Sequence, residues 1–484
     1  MGTVGIVFVF LGGLILLLLL AAAVNAARIK ATLAPEAPVE DEAVAQRYAE
    51  GLAQMLRVET ISAKDEATLA PFYELHKVLE TLFPLVHARL ERTELSGNLI
   101  YRWKSAYPER EAVLLMGHQD VVPAQGEWKH PPFAGVIENG VIYGRGALDC
   151  KCTVFAEFSA LEELLSEGFE PPCDVYLTTS VDEETLGSGA KRIVAHLKAQ
   201  GVRLALVLDE GGAVIEEPLA GIKRPYSMIG ITEKGYVDVL IKARGAGGHS
   251  STPPKNTPLV RLSRFMAEVE RVSPFPREMS REVRAMLEGL VPSMPFAMRF
   301  LLGNLWLFKP LVLLVMPAVS PAAGALLATT CAFTMAEGSM APNVIPTEAK
   351  VLANLRVSHH QGMKASIKAL ERIAKKHNLT LEVINGRDAS NRADIGGAMY
   401  RYIEACAKEC FPDAGAAPYV MTGGTDARSY EEICPNCIRF CPVRMTQEQL
   451  DSVHAANENI HASSLAGAVR CYKRILRGVG TALS

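Results

Sequence analysis

The chain has 484 residues, 49% of them apolar and 21% charged, and a formal net charge of −3. That length exceeds one ordinary hydrophobic core, so two domains are expected, and the composition excludes a disordered or fibrous chain. Clustered Lys and Arg are missing, which excludes a nucleic-acid footprint, and no block of like charge forms an interaction tail.

The first predicted element is apolar. Residues 4–24 read VGIVFVFLGGLILLLLLAAAV, with no charge before Arg28, and a run of roughly 20 apolar residues is long enough to span a bilayer. Val24-Asn25-Ala26 also has the small-residue pattern of a secretory cleavage site. Segment 1–27 is therefore expected to be a signal peptide or membrane anchor that places the chain in the secretory pathway, secreted or membrane-held. Cleavage stays open, because no Lys or Arg precedes the run to fix its orientation.

From residue 40 to 83 the periodicity is helical, with Ala43, Tyr48, Leu52 and Leu56 on one face. Three apolar runs then read as strands: AVLLMGH (112–118), DVYLTTSV (174–181) and LALVLDE (204–210), with helical runs at 153–165 and 190–199 between them. Near-continuous apolar strands alternating with helices predict an α/β fold with a largely parallel central sheet covered on both faces. Ligands of such sheets bind outside the carboxyl ends of the strands.

The pattern changes near Glu233. GYVDVLIKARG, TPLVRLSRFMAEVERV, TTCAFTMAEG, AKVLANLRVS, GMKASIKALERIAKKH and LTLEVING run in the order β-α-β-β-α-β, the ferredoxin-like arrangement. The expected organisation is a catalytic domain in two parts, 40–232 and 388–484, with 233–387 inserted as an α+β lid and dimerisation domain. Within the insert, 294–327 carries the apolar runs FLLGNLWLF and LVLLVM, broken by Arg299, Lys309, Pro310 and Pro317. These breaks argue against a spanning helix. They leave two readings, a buried hairpin of helices or an exposed apolar surface for a lipid-like substrate or a membrane.

Acids and histidines follow the strand-like runs: His118 and Asp120 in GHQDVVP, Asp149 in YGRGALDCK, Glu183 and Glu184 in SVDEETLGSGA, Asp209 in LVLDEGG, and His454 in HAANE. Gathering such groups at buried strand ends is costly unless a cation compensates them, and a mixed His/Asp/Glu set suits one or two zinc ions. His118 and Asp120 leave the same side of an extended segment, so one can ligate while the other holds the imidazole. Asp149, taken alone, reads as a helix cap; within the set its two oxygens can bridge two cations. Glu183 and Glu184 cannot point the same way from a strand, so if Glu184 ligates, Glu183 can act as a base. His130, His359, His360 and His461 read as ordinary surface or core histidines. Cys406 and Cys410, and the Cys434/Cys437/Cys441 group, read as packing residues rather than a metal knuckle, with a C-terminal disulfide left open.

The series GHQDVVP, YGRGALD-x-K, DEE-x-x-GSGA, DEGG, GHSSTPP, NVIP and HxxNE resembles the dinuclear zinc amidohydrolase and peptidase family of aminoacylase, succinyl-diaminopimelate desuccinylase and carboxypeptidase S. PPFAGVIENGVIYGRG, EKGY, NLWLF and TTCAFTM bring it nearest to the carboxypeptidase S branch and, within it, to the secreted N-fatty-acyl-amino-acid synthase/hydrolases. The resemblance implies two zinc ions per subunit, one held by His118 and Asp209, the other by Glu184 and His454, with Asp149 between them. It implies Asp120 as the orienter of His118 and Glu183 as general base and acid. His249 would polarise the scissile carbonyl across a dimer interface, Asn343 and Arg356 would line the closed site, and Arg428 would bind a substrate carboxylate, which a guanidinium fork suits. Cys150 stands where the family often carries a second Asp. The implied activity is hydrolysis, or reversible synthesis, of the amide in N-acyl amino acids. A dipeptide carboxypeptidase of the carboxypeptidase S kind is the alternative, and an inactive membrane-tethered binding protein is the rival of another class.

Overall fold

The computed structural model describes residues 3–29, 35–63, 65, 68–219 and 221–483. Its central sheet forms where the apolar runs predict it. Strand Ala112–His118 lies between Val175–Ser180 and Leu204–Asp209, parallel to both, with Leu115 opposite Leu177 on one side and Leu208 on the other. All three are buried along their whole length, as a parallel sheet covered on both faces requires. Strand Cys437–Arg439 continues the parallel run beside Leu204–Asp209. Toward its edges the ten-stranded sheet also takes antiparallel pairs, through the hairpin Glu91–Leu95/Asn98–Trp103 at one end and Tyr226–Glu233 toward the other.

Helices Glu42–Leu56, Lys151–Ser166 and Ala462–Gly478 cover one face, packing Leu52, Phe155, Phe158, Leu465 and Tyr472 against Val113, Leu115 and Leu208. Helix Gly189–Ala199 and the short helix Asp426–Glu432 cover the other, where Ile193, Leu197 and Tyr430 meet Leu114, Met116 and Val207. The helical run expected over 40–83 is split into Glu42–Leu56 and Ala70–Leu82. Between them Thr60 donates to Gln119 O at 2.6 Å and Ser62 to the Asp120 carboxylate at 2.8 Å. Those bonds hold the chain extended where a helix would continue.

A second sheet has four antiparallel strands in the spatial order Thr330–Glu337, Glu348–Val357, Gly235–Arg244, Thr380–Arg387. Helices Pro258–Arg271 and Gly362–Lys376 enclose its own core of Val239, Phe265, Leu355 and Leu370. This is the strand order that a β-α-β-β-α-β chain takes in a ferredoxin-like sheet.

The stretch 294–327 does not join that core. It forms helices Phe296–Leu302, Leu305–Val319 and Pro321–Leu327. With helix Arg281–Leu290 they pack Met286, Leu290, Leu305 and Val312 against Tyr226 and Ala417, on strands of the central sheet. One side of the stretch is thus buried, and the other leaves Trp306, Leu314 and Val319 exposed. Near the N-terminus, helix Thr3–Arg28 is long and apolar enough over Ile6–Arg28 to cross a membrane.

Candidate metal centre and its surroundings

The parallel register brings the ends of three strands together, and the first donor sits there. His118 is the last residue of its strand and lies opposite Ser180. Its Nδ1 lies 2.9 Å from the main-chain oxygen of Asp120 and 3.3 Å from Asp120 Oδ1. Its Nε2 points the other way, 3.0 Å from Asp149 Oδ1 and 3.6 Å from Glu210 Oε1. On the far side of Asp149, Oδ2 lies 2.9 Å from His454 Nε2, which is 3.1 Å from Glu184 Oε2. One aspartate therefore presents one oxygen to each of two imidazoles. The donor atoms of His118, Asp149, Cys150 and Glu210 lie within 4.8 Å of one another, and so do those of Asp149, Glu184 and His454.

Two buried carboxylates hold this arrangement in place. Asp120 accepts from Ser62 Oγ and from the main-chain N–H groups of Glu183 (3.2 Å) and Glu184 (3.0 Å). It thereby ties the turn Glu183–Thr185 to the end of the central strand. Glu458 accepts from the N–H groups of Gly146 (3.1 Å), Leu148 (2.7 Å) and Asp149 (3.0 Å) and from Arg145 Nη1 (2.6 Å). The loop turns at Gly146, φ +87°, where a Cβ would stand 2.7 Å from Val121, so only glycine fits. Glu458 is the last residue of HxxNE, and its clamp on the Asp149 loop is a function the sequence alone did not assign. Removing it as Glu458→Ala leaves Arg145 charged and buried without its partner. The expected cost is about 3–5 kcal/mol, read as a fall in the midpoint of chemical denaturation.

One expected ligand, Asp209, stands apart from the two donor groups. Its Oδ1 accepts from Glu210 N at 2.8 Å and its Oδ2 from Ala427 N at 2.8 Å. Strand alternation explains this. Asp209 shares a face with Val207, the face covered by helix Asp426–Glu432, whereas the next residue turns the opposite way. Glu210 is the acid that reaches His118. The strand's period sends the two adjacent acids of LVLDEGG to opposite faces. Cys150, in place of the second Asp, is buried within the first donor group, its sulfur accepting from His118 N at 3.1 Å, and burial pushes its thiol pKa well up.

The electrostatics show what the group would take. Burial, with nearby acids adding to it, pushes Glu210 up to about 8 and Asp426 up to about 7, and burial raises Glu183 well above the usual carboxylate range. Hydrogen bonds that His454 donates to the Asp149 and Glu184 carboxylates lift its pKa to about 10. Imidazoles that hold a proton so firmly mark a place where a cation is wanted. Glu184 Oε1 is buried with no hydrogen-bond partner among the described residues, as fits a carboxylate whose charge a metal would balance. Imidazole and carboxylate donors, bridged by one aspartate, fit divalent ions of the zinc type.

The remaining expected site residues lie outside these two groups. His249 and Asn343 meet on the short ladder Gly248–His249/Val344–Ile345, where Ser250 N donates to Asn343 O at 3.0 Å. His249 is exposed, its Nδ1 bonded to Ser251 Oγ at 2.7 Å. Arg356 is exposed on strand Glu348–Val357. Arg428, in the helix that also carries Asp426, has a side chain only 7% exposed; its Nη2 donates to Asp388 O at 2.6 Å, and its Nη1 stands 3.8 Å from Glu233 Oε2 with no hydrogen bond among the described residues. His130 lies near Glu138, His359 bonds Thr232, His360 bonds Pro276 O, and His461 is an exposed helix cap. All ten cysteines are free thiols, and all but Cys331 are buried.

Imidazoles and carboxylates sharing one aspartate at the carboxyl edge of a parallel sheet define a candidate divalent-metal centre. The sequence profile described as peptidase family M20/M25/M40 matches residues 114–478. The human N-fatty-acyl-amino acid synthase/hydrolase PM20D1 is 31% identical over 460 residues, covering 93% of this chain and 91% of that protein. A probable carboxypeptidase S-like 2 of Dictyostelium discoideum is 31% identical, covering 84% and 79%. The fold matches that of the M20 family metallo-carboxypeptidase Sso-CP2 of Sulfolobus solfataricus with a TM-score of 0.67 at 19% identity, over 91% of this chain and 100% of that one. The chain belongs to peptidase family M20/M25/M40, and it is a hydrolase of amide bonds that uses a divalent metal.

Proposed function

We propose that the protein is a dinuclear zinc amidohydrolase that cleaves, and in reverse forms, the amide bond of N-acyl amino acids, with N-fatty-acyl amino acids as its preferred class. The observation that carries this reading is the place of Arg428. Helix Asp426–Glu432 begins against the metal centre, where Asp426 accepts from Ser180, and two residues later presents a buried guanidinium with an unused N–H. A free α-carboxylate fits such a donor. The acyl preference rests on the human relative, whose name states N-fatty-acyl amino acids.

His118 and Glu210 would hold one ion and Glu184 and His454 the other, with Asp149 standing between the two groups. When bound, the ions supply Lewis acidity to the amide carbonyl and to the attacking water. Glu183, adjacent to the ligand Glu184 and itself kept proton-seeking by burial, takes a proton from water and delivers it to the leaving nitrogen as the C–N bond breaks. Asp120 fixes the ring of His118. Segments 40–232 and 388–484 form the catalytic domain, and 233–387 acts as lid and dimerisation domain. His249 reaches the scissile carbonyl across that dimer, and Asn343 and Arg356 line the closed site. The N-terminal helix routes the chain into the secretory pathway, and together with 294–327 it associates with membrane.

A panel of N-fatty-acyl amino acids, their carboxamides and dipeptides tests this. Hydrolysis of the acids with little activity on the carboxamides is expected. Dipeptide cleavage without fatty-acyl activity would establish the carboxypeptidase reading that the Dictyostelium relative favours. Arg428→Ala is expected to lower kcat/KM for the acids by roughly 10- to 150-fold, the worth of about 1.5–3 kcal/mol for a hydrogen bond to a charged group. For the carboxamides it should change little.

A further inference from the structure

The apolar helix pair in the insert and the N-terminal helix are built as one unit. Helices Phe296–Leu302 and Leu305–Val319 meet at 104° and together are apolar enough for a broken span or a re-entrant loop. At their junction Asn304 is fully buried. Its Nδ2 donates to Ala22 O (3.0 Å) and Phe300 O (2.9 Å), and its Oδ1 accepts from Asn25 Nδ2 (3.0 Å) and from Trp306 Nε1 (3.1 Å). The side chain's bonding capacity is thus shared between the N-terminal helix and the helix pair. Asn25 also donates to Gly303 O, and Arg299 donates to Ile29 O. The contact is close: Ala22 and Ala26, one turn apart, are wholly buried, and a Cβ at Gly303 would stand 2.9 Å from Ile29. Small residues and a buried amide are the means by which helices associate inside or beside a bilayer.

Before that contact the described side chains of the N-terminal helix are exposed, apart from half-buried Leu18. Phe8, Phe10, Leu16 and Leu20 are exposed, and its described length before the contact, residues 3–21, is about 28 Å at ~1.5 Å per residue, close to a hydrocarbon core. The helix pair exposes a matching surface beside it. Leu311, Leu314, Val315 and Val319 recur at helical spacing and are exposed, as is Trp306, at 60%. Behind Trp306 lies a cavity of about 530 Å³ rimmed by Arg281, Arg284 and Lys309. An apolar face with an indole at its border and cations behind it is complementary to a bilayer surface carrying anionic headgroups.

We propose that the N-terminal helix is a retained anchor clamped through Asn304 to the helix pair 296–319, which seats in the same leaflet as a re-entrant foot. The foot rests on helix Arg281–Leu290, which packs on the central-sheet strand Gly415–Met421 leading to Asp426 and Arg428. The bilayer then lies against the flank of the molecule that carries the carboxylate-binding arginine. The inference rests on the membrane association proposed above and not on the amidase reading.

The test uses the full chain expressed through a secretory route and reconstituted in vesicles of equal parts phosphatidylcholine and phosphatidylserine. Intact mass should retain residues 1–28; a chain beginning after Ala26 overturns the anchor. Tryptophan emission is then quenched by lipids brominated on their acyl chains or by aqueous iodide. The emission that disappears in Trp306→Phe should be the bromolipid-quenched, iodide-shielded part, and Asn304→Leu should shift it toward iodide. If vesicle flotation succeeds but Trp306 answers to iodide alone, the foot is wrong. If it answers to neither and residue 314, substituted as Leu314→Cys, crosslinks between copies, a second copy covers the face and the proposal falls.

Discussion

Glu183→Gln is expected to lower turnover by about 10²–10⁴-fold, the range for loss of a positioned general base, while the bound metal stays at the wild-type level. The geometry separates the two readouts. Glu184 faces His454 at 3.1 Å, whereas Glu183 lies outside both donor groups and is attached to the centre through its main-chain N–H on Asp120. The isosteric amide keeps that N–H and the turn it belongs to, and removes only the ability to take a proton. Elemental analysis of the purified variant beside its kcat checks both halves. Wild-type turnover would remove Glu183 from the chemistry; loss of metal together with activity would make it a ligand.

The second large effect belongs to Asp149. Because one oxygen faces His118 and the other His454, Asp149→Ala should empty both positions and abolish turnover. The loss should exceed the 10–100-fold that removing an outer-shell partner typically costs. The same logic distinguishes the two acids that close strand Leu204–Asp209. Glu210→Ala should lose about half the metal, whereas Asp209→Ala should keep it and be destabilised instead. In the latter the N–H groups of Glu210 and Ala427 lose their acceptor, at about 1–3 kcal/mol if they stay buried. Metal content and thermal midpoint of the two variants, measured together, decide the assignment.

That pair also marks where sequence reading stopped. The parallel strands were legible because AVLLMGH, DVYLTTSV and LALVLDE are unbroken apolar runs, and each ends beside a polar residue that the sheet delivers to one edge. His118, Asp149, Glu184 and His454 stood out for the same reason: imidazole and carboxylate are costly at buried strand ends without a shared cation. The choice between Asp209 and Glu210 depends on which face the helix Asp426–Glu432 covers, a contact across more than 200 residues that no local pattern carries. Glu458 escaped because a buried carboxylate that clamps a loop looks, in sequence, like any other acid. The two readings of 294–327 stayed open because its helices are two-sided: Leu305 and Val312 join a core with Tyr226 and Ala417, while Leu314 and Val319 do not. Periodicity marks an apolar face but not what lies against it.

Catalysis as proposed requires a two-metal site built around one shared aspartate. Native mass spectrometry of the full chain, with elemental analysis of the same sample, measures it directly. Two zinc-type ions per chain are expected in the wild type, none in Asp149→Ala and two in Glu183→Gln. One ion in the wild type, or two in Asp149→Ala, would contradict it.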